Sequence, residues 1–93
     1  MKPGTPQWIL LTRRPNLRLT NTKIFRSLKN AVVRLRLGKS LGLIIDASFR
    51  DKSGDAWAIA YGARELFPNL AISILSVFPD QEKPAISQHL KQD

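Results

Sequence analysis

The sequence predicts an α/β fold in which a mainly parallel sheet of about four strands packs against about three helices. The prediction depends on residues 41–80, where two short apolar runs bracket a segment with helical spacing. The first run, Leu43-Ile44-Ile45, stops at the acidic Asp46, and the second covers residues 70–77. Residues 55–67, between the runs, place small and aliphatic side chains on one helical face. Strand–helix–strand order of this kind builds parallel sheets.

Length and composition predict one domain with one modest core. The chain has 93 residues, of which 43% are hydrophobic and 24% charged, as in soluble globular proteins. It has no cysteine and one histidine, His89, which excludes disulfides and thiolate metal sites. No apolar run approaches the roughly 20 residues of a membrane helix. We expect a cytoplasmic protein with a flexible lead at residues 1–6 and a single domain at residues 7–93.

Charge is distributed unevenly along the chain, whose net charge is +8. Residues 1–45 carry ten Lys or Arg and no acid, whereas residues 46–93 carry five Lys or Arg and seven acids. Such a basic half suggests an acidic partner, either nucleic acid or an acidic protein surface, although a solvated basic helix face gives the same pattern. The predicted basic contact face consists of Arg14, Arg18, Lys23, Arg26, Lys29, Arg34 and Arg36.

The remaining elements follow from apolar spacing and from helix-start and turn residues. Leu17, Ile24 and Leu28 lie on one helical stripe, which predicts an amphipathic helix. Alternation from Val33 onward predicts a strand with one solvated face. Ser53 or Asp55 is expected to cap the helix that follows Gly54. The predicted order is a strand at 7–12, a helix at 16–30, strands at 31–37 and 41–47, a helix at 55–67, a strand at 70–77 and a helix at 84–92.

Several phrases, in this order and spacing, resemble the receiver domain of response regulators, the CheY-like phosphoacceptor module of two-component signalling. They are residues 9–18 (ILLTRRPNLR), Asp46 at the end of its strand, Gly54 eight residues later, residues 64–68 (RELFP) and Ile74-Leu75-Ser76. The resemblance implies a truncated flavodoxin-like, three-layer sandwich. It also implies that Asp46 matches the phosphoacceptor and Ser76 the switch hydroxyl.

The family's metal site is altered in this sequence. Receivers hold Mg²⁺ with two acids after the first strand, and Thr12 and Arg13 occupy those positions here. We expect Mg²⁺ binding to be lost, with the Arg13 guanidinium paired directly with Asp46. The resemblance therefore implies an atypical, non-enzymatic signalling module that works by protein–protein contact without phosphorylation. Two alternatives for Asp46 stay open, namely retained phosphorylation and a plain turn-capping role.

Two segments of the family's architecture are missing from the predicted elements. Only Gly38-Lys39-Ser40 stands where a second helix is expected, and the last strand and helix are absent. So short a link does not cross between parallel strands, which leaves a local reorganisation, strand exchange between protomers or a different topology. The fourth strand would be an exposed edge, which favours a protein partner or a homodimer.

Two further alternatives come from other residues. Residues 1–45 are consistent with a small nucleic-acid-binding protein, although they carry no recognised base-reading motif. Residues 44–48 (IIDAS) faintly resemble the first strands of ribonuclease-H-like nucleases, but few carboxylates are left for two metals. Trp57 and Tyr61 lie one turn apart, either as an aromatic contact patch or, the favoured interpretation, packed partly in the core.

Overall fold

A computed structural model of the chain describes residues 6–76 and 85–89. The elements in these ranges are β1 (Trp8–Leu11), β2 (Thr22–Phe25), α1 (Leu28–Arg36), β3 (Gly42–Asp46), β4 (Arg50–Asp51), β5 (Gly54–Asp55), α2 (Ala56–Leu66), β6 (Ala71–Ser76) and β7 (Ala85–His89). Five strands form one sheet in the order β2-β1-β3-β6-β7, while β4 and β5 form a small hairpin. The first four strands are parallel, and β7 runs antiparallel to β6.

The predicted α/β class with a mainly parallel sheet is confirmed, and four of the predicted elements lie where the sequence places them. These are β1, β3, α2 and β6. All five residues of β3 are buried, as expected for a central parallel strand. Asp55 is the N-cap of α2, because its side chain accepts a hydrogen bond from the Ala58 amide at 3.0 Å. The strand order is compatible with a flavodoxin-like sandwich.

The predicted helix at residues 16–30 is wrong. Thr22–Phe25 forms β2, which pairs with β1 from Trp8↔Thr22 to Leu11↔Phe25. Asn21, immediately before it, has a positive φ of 58°, a left-handed conformation that a continuous helix does not accommodate. The spacing of Leu17 and Ile24 that predicted a helix has another cause. Both side chains contact the same apolar cluster on one face of the sheet, one from a loop and one from a strand.

The predicted strand at residues 31–37 is wrong as well, because α1 spans most of it. Ser27 caps this helix by accepting a hydrogen bond from the Asn30 amide at 3.2 Å. Ala31 and Leu35, one turn apart, are the buried positions, whereas Val33 and Leu37 are exposed despite their alternation with arginines. Since α1 lies between β2 and β3 in the chain, it connects these two parallel strands past β1. Local reorganisation, strand exchange between protomers and a different topology, which were considered for a link without a helix, are therefore not needed.

The connection without a helix is the one from β1 to β2, at residues 12–21. This loop lies over the second face of the sheet, where Leu17 packs with Leu10, Ile44 and Leu75. Both helices contribute to the cluster on the opposite face. This arrangement is the one expected for right-handed crossovers, because the chain moves in one direction from β1 to β2 and in the other through α1 and α2. A loop therefore covers the face that a first helix covers in a three-layer sandwich.

The C-terminal prediction is also corrected. Residues 85–89 form β7 rather than part of a helix at 84–92, so the residues described contain two helices, not about three. β6 lies between β3 and β7 and is not the exposed edge that favoured a homodimer. Neither described helix has the length and apolar character needed to cross a bilayer.

Candidate functional site at the carboxyl ends of β1 and β3

The candidate site lies where two adjacent central strands end. β1 and β3 are paired from Trp8↔Gly42 to Leu11↔Ile45, so the next residues, Thr12 and Asp46, stand side by side. The chain leaves β1 toward β2 and leaves β3 toward β6, on opposite sides of this pair. Open α/β sheets bind ligands at such a switch point, outside the carboxyl ends of the strands. The site therefore has the position of a ligand site, and its side chains decide what it does.

The Asp46 carboxylate is buried and accepts four hydrogen bonds. Its Oδ2 atom accepts from Thr12 Oγ1 at 2.6 Å and from Arg14 Nε at 3.0 Å. Its Oδ1 atom accepts from Ser48, through the amide at 3.0 Å and the hydroxyl at 2.9 Å. We call Asp46 and its three donor residues, Thr12, Arg14 and Ser48, the Asp46 cluster. Each carboxylate oxygen has two donors, so the buried charge is compensated within the cluster.

Local backbone geometry positions these donors. The Thr12 hydroxyl accepts from the Arg14 amide at 3.0 Å, which turns the chain just after β1. Arg26, following β2, donates from Nη1 to the carbonyls of both Thr12 and Arg14 at 3.1 Å. On the other strand, the Ser48 amide bonds the Asp46 side chain two residues back, as in an Asx-turn. Three segments of the chain thus hold the cluster in place.

These contacts decide the protonation of Asp46. Burial alone would raise the pKa of its carboxyl. Hydrogen bonds from Thr12 and Ser48, together with the charge of Arg14, outweigh that effect and lower the pKa below its ordinary value. Asp46 is therefore a carboxylate at neutral pH. A lowered pKa in a closed hydrogen-bond network is typical of a structural anion rather than of a general acid.

The predicted pair of Arg13 with Asp46 does not form. Arg14 makes that contact, as the one ion pair within the described residues, and its side chain is 43% exposed. Arg13 points elsewhere, with its guanidinium carbon 4.5 Å from the centre of the Phe49 ring and Nη1 donating to the Arg50 carbonyl at 2.7 Å. The sequence alone does not show which of two adjacent arginines after a strand contacts the carboxylate. The turn made by the Thr12 hydroxyl selects the second.

Ser76 does not join the cluster. Asp46 is in register with Leu75, and no hydrogen bond among the described residues connects Ser76 to Asp46. Ser48, which sequence reasoning did not select, supplies the hydroxyl instead. A signal for it was present, since an aspartate followed two residues later by a serine forms local turns of this kind.

The residues at this site do not fit the Mg²⁺ ion that the receiver resemblance implies. Mg²⁺ is bound through carboxylates and water, and receivers supply acids from two strands. Here Asp46 is the only acid in the cluster, its oxygens are occupied by donors, and Arg14 already provides positive charge. The described part of the chain contains no group of three or more His, Cys, Asp or Glu residues able to hold a metal.

The predicted basic contact face separates into side chains with different environments. Arg14 and Arg26 are engaged within the fold, and the Arg34 guanidinium lies 5.9 Å from the Phe25 ring. Arg18 and Lys23 are exposed on the loop after β1 and on β2. The other two, Lys29 and Arg36, line a groove beside α1, together with Arg13.

Trp57 and Tyr61 do not pack in the core, contrary to the favoured interpretation. Trp57 is 44% exposed and Tyr61 is 64% exposed, while Ile59 and Ala60 make the core contacts of α2. The alternative, an aromatic contact patch, remains.

Comparisons with known proteins assign no family. No family model matches the chain, and neither the curated proteins nor the solved structures compared with it give a match. The functional argument therefore depends on the geometry of the site and the surface.

Proposed function

We propose that this protein is a receiver-like interaction module that works by protein–protein contact, without phosphorylation and without catalysis. The closed hydrogen-bond network around the Asp46 carboxylate carries the proposal. The position of Asp46 and the strand order support the resemblance to receivers. The hydrogen-bond donors around the Asp46 carboxylate support the loss of switching by phosphorylation.

Aspartyl phosphorylation needs a carboxylate oxygen that reaches the phosphoryl donor and a cation that neutralises the transferring charge. Asp46 is 0% exposed, and its two oxygens are already bonded to Thr12, Arg14 and Ser48. Arg14 supplies a fixed positive charge without the open coordination positions of a metal. These contacts favour one permanent state of the site over a switch between two.

Apolar side chains on the outer surfaces of both helices support protein contact. Val33 on α1 and Leu37 at its C-cap are 58% and 62% exposed, and α2 exposes Trp57, Tyr61 and Leu66. Exposed aliphatic and aromatic side chains on neighbouring elements are typical of protein interaction surfaces. A signalling protein is the partner class that the receiver resemblance favours.

The first test is a ¹⁵N–¹H NMR titration with Mg²⁺ and then with beryllofluoride, which mimics an aspartyl phosphate. We expect no saturable shift at Asp46, Ser48 or Ser76. The variant Arg14→Gln, with Arg18→Gln as the matched control, tests whether Arg14 excludes the metal. Saturable shifts in the wild-type chain, centred on Asp46, would overturn the proposal.

Nucleic-acid binding is the second candidate, favoured by the exposed Arg18 and Lys23 and by the cations of residues 29–52, which make no ion pair with another described residue. Electrostatic binding of this type falls steeply with salt. Measuring affinity for a random-sequence single strand at about 0.05 M and about 0.2 M salt distinguishes the candidates. Tight, salt-dependent binding would favour nucleic acid over a protein partner.

A further inference from the structure

A groove beside α1 combines an apolar floor with cationic walls. It lies between α1, the β4–β5 hairpin and Arg13, with a volume of about 850 Å³. The α1 groove, as we name it, is separate from the Asp46 cluster, since none of the four cluster residues lines it. Its size is within the range of about 300–1,000 Å³ found for binding clefts.

The floor of the groove consists of three apolar side chains of α1. Leu28 and Val32 are one turn apart, and Val33 lies beside them. Leu28 and Val32 are half-buried and border the core face of α1, where Leu28 also packs against the cluster that contains Ala31 and Leu35. The floor is therefore aliphatic surface that the described fold covers only in part, and Val33, at 58% exposure, is its most accessible side chain.

The walls carry four cations and one acid. Lys29 and Arg36 come from α1, Lys52 from the hairpin and Arg13 from the loop after β1. The acid, Asp51, accepts a hydrogen bond from the Ser53 amide at 2.7 Å. In the ranges 6–76 and 85–89, none of these cations makes an ion pair, and only Arg13 has defined partners, namely the Arg50 carbonyl and the Phe49 ring. The groove therefore carries a net positive charge, with Asp51 as the one acid among its described lining residues.

From this complementarity, and given the protein-contact function proposed above, we infer that the α1 groove binds an acidic amphipathic segment of a partner protein. Carboxylates of the segment face Lys29, Arg36 and Lys52, and apolar side chains of the same segment cover Leu28, Val32 and Val33. Helix-in-groove recognition uses this combination, with apolar anchors at three- and four-residue spacing. α1 has nine residues and is about 14 Å long, enough to contact two or three turns of a bound helix.

The floor argues for a protein segment over a nucleic acid. Single-stranded nucleic acids bind by stacking bases on aromatic side chains along a cationic track. The described residues that line the α1 groove include three aliphatic side chains and no aromatic ring. Phosphates would satisfy the walls and leave the floor uncovered, whereas an amphipathic acidic segment satisfies both.

The test uses the full chain and a synthetic probe, a labelled peptide of about 14 residues built from glutamate and leucine, with the leucines at helical spacing. Fluorescence anisotropy at about 0.15 M salt gives its affinity, and ¹⁵N–¹H NMR locates its contacts. We expect shifts on α1 and at Lys52 and Ser53. The double variant Lys29→Glu/Arg36→Glu should weaken binding at least about tenfold, because it reverses both α1 charges.

The matched control is Arg18→Glu/Lys23→Glu, which makes the same charge change on exposed residues outside the groove. The affinity of this variant for the peptide should stay within about twofold of the wild-type affinity. Val33→Ser removes an apolar contact without changing charge and should weaken binding by about threefold to tenfold. Because Val33 is exposed, this variant also tests the groove if charge reversal at the end of α1 disturbs folding.

Several results would overturn the inference. The first two are an equal loss of peptide affinity in both double variants, and an equal affinity of the wild-type chain for a peptide made of glutamate alone. The third is tighter binding of a DNA single strand than of the peptide at the same residues. The fourth is a dimer of this chain that the Lys29→Glu/Arg36→Glu substitutions dissociate. A response of Asp46 to beryllofluoride is a separate outcome, since it contradicts the proposed function and leaves the groove result unaffected. If the peptide does not bind and Asp46 does not respond to beryllofluoride, the inference about the groove is overturned and the proposed function is not.

Discussion

The Asp46 cluster and the α1 groove both depend on arginine, but the two regions treat positive charge in opposite ways. In the cluster, Arg14 contacts a buried carboxylate that three other donors also satisfy. In the groove, Arg36 and its neighbours face solvent over an aliphatic floor, with no ion pair in the described residues. The charge of the cluster is balanced within the fold, whereas the cations of the groove make no ion pair with another described residue.

This difference separates stability from function. A buried, fully bonded anion adds to the free energy of unfolding, and disturbing it is costly because donors lose their acceptor. Exposed cations add little to stability, since water solvates them equally well in the unfolded chain. Substitutions in the cluster should therefore change folding, and substitutions in the groove should change binding.

The largest effect is expected for Asp46→Ala. Removal of the carboxylate leaves the Thr12 hydroxyl and the Ser48 amide without an acceptor and opens a small cavity, so the free energy of unfolding should fall by about 3 kcal/mol. Urea unfolding followed by circular dichroism measures the change. Glu65→Ala, at an exposed position on α2, is the control and should stay within about 0.5 kcal/mol of the wild type. Equal stabilities of the two variants would show that the cluster is not structural.

The second effect is the pH dependence of that stability. The pKa of Asp46 is lowered in the folded chain, so its contribution is fully present above the unfolded value of about 3.9 and is lost as pH falls through the lower, folded value. Asp46→Asn does not titrate there. We expect the stability difference between wild type and Asp46→Asn to be constant above about pH 5 and to shrink below about pH 4.

Urea midpoints for both proteins at several pH values measure this difference. A gap that widens on acidification would mean that the folded chain raises the pKa of Asp46, contrary to the hydrogen bonds described.

These two predictions concern the part of the site that the sequence could predict. Asp46 was placed correctly because an apolar run fully buried in a sheet must end at its first polar residue, and β1 and β3 both read as such runs. The apolar pattern places Thr12 at the end of the first run, whereas its assignment to the site comes from the receiver resemblance. The choice of Arg14 over Arg13 could not be predicted, because it depends on which way the loop turns after β1, and a hydroxyl–amide bond sets that direction.

The misassigned region, residues 16–37, shows a limit of apolar periodicity. Val33 to Leu37 alternates apolar and basic residues, the pattern of a half-buried strand. In α1 only Ala31 and Leu35 are buried, so two of the residues that produced the alternation, Val33 and Leu37, make no core contact. The exposed apolar positions that misled the prediction include Val33 of the groove floor, so apolar residues on an exposed helix surface resemble core residues in sequence.

The third prediction compares one arginine from each region. Arg14→Ala removes an ion pair and a hydrogen bond to a buried acceptor and should lower the free energy of unfolding by about 1 kcal/mol. Arg36→Ala should change it by less than about 0.5 kcal/mol, because the Arg36 side chain is exposed and has no acidic partner in the described residues. Urea unfolding of both variants at one pH gives the comparison. Reversal of this order would mean that the groove, and not the cluster, stabilises the fold.

The smallest effect makes the sharpest comparison, because the same substitution is available in both regions. Ser48→Ala removes one hydroxyl donor to Asp46 but keeps the amide donor, so we expect a loss of about 0.5–1 kcal/mol and a rise in the pKa of Asp46. Ser53→Ala in the groove removes a hydroxyl with no hydrogen bond among the described residues and should leave stability and the Asp46 pKa unchanged. The ¹³C chemical shift of the Asp46 carboxyl, followed through an acid titration, reads the pKa directly. A change in the Asp46 pKa in Ser48→Ala and none in Ser53→Ala would show that this pKa depends on the hydrogen-bond donors of the carboxylate and not on the groove. Equal changes in the pKa would mean that the two regions are electrostatically coupled.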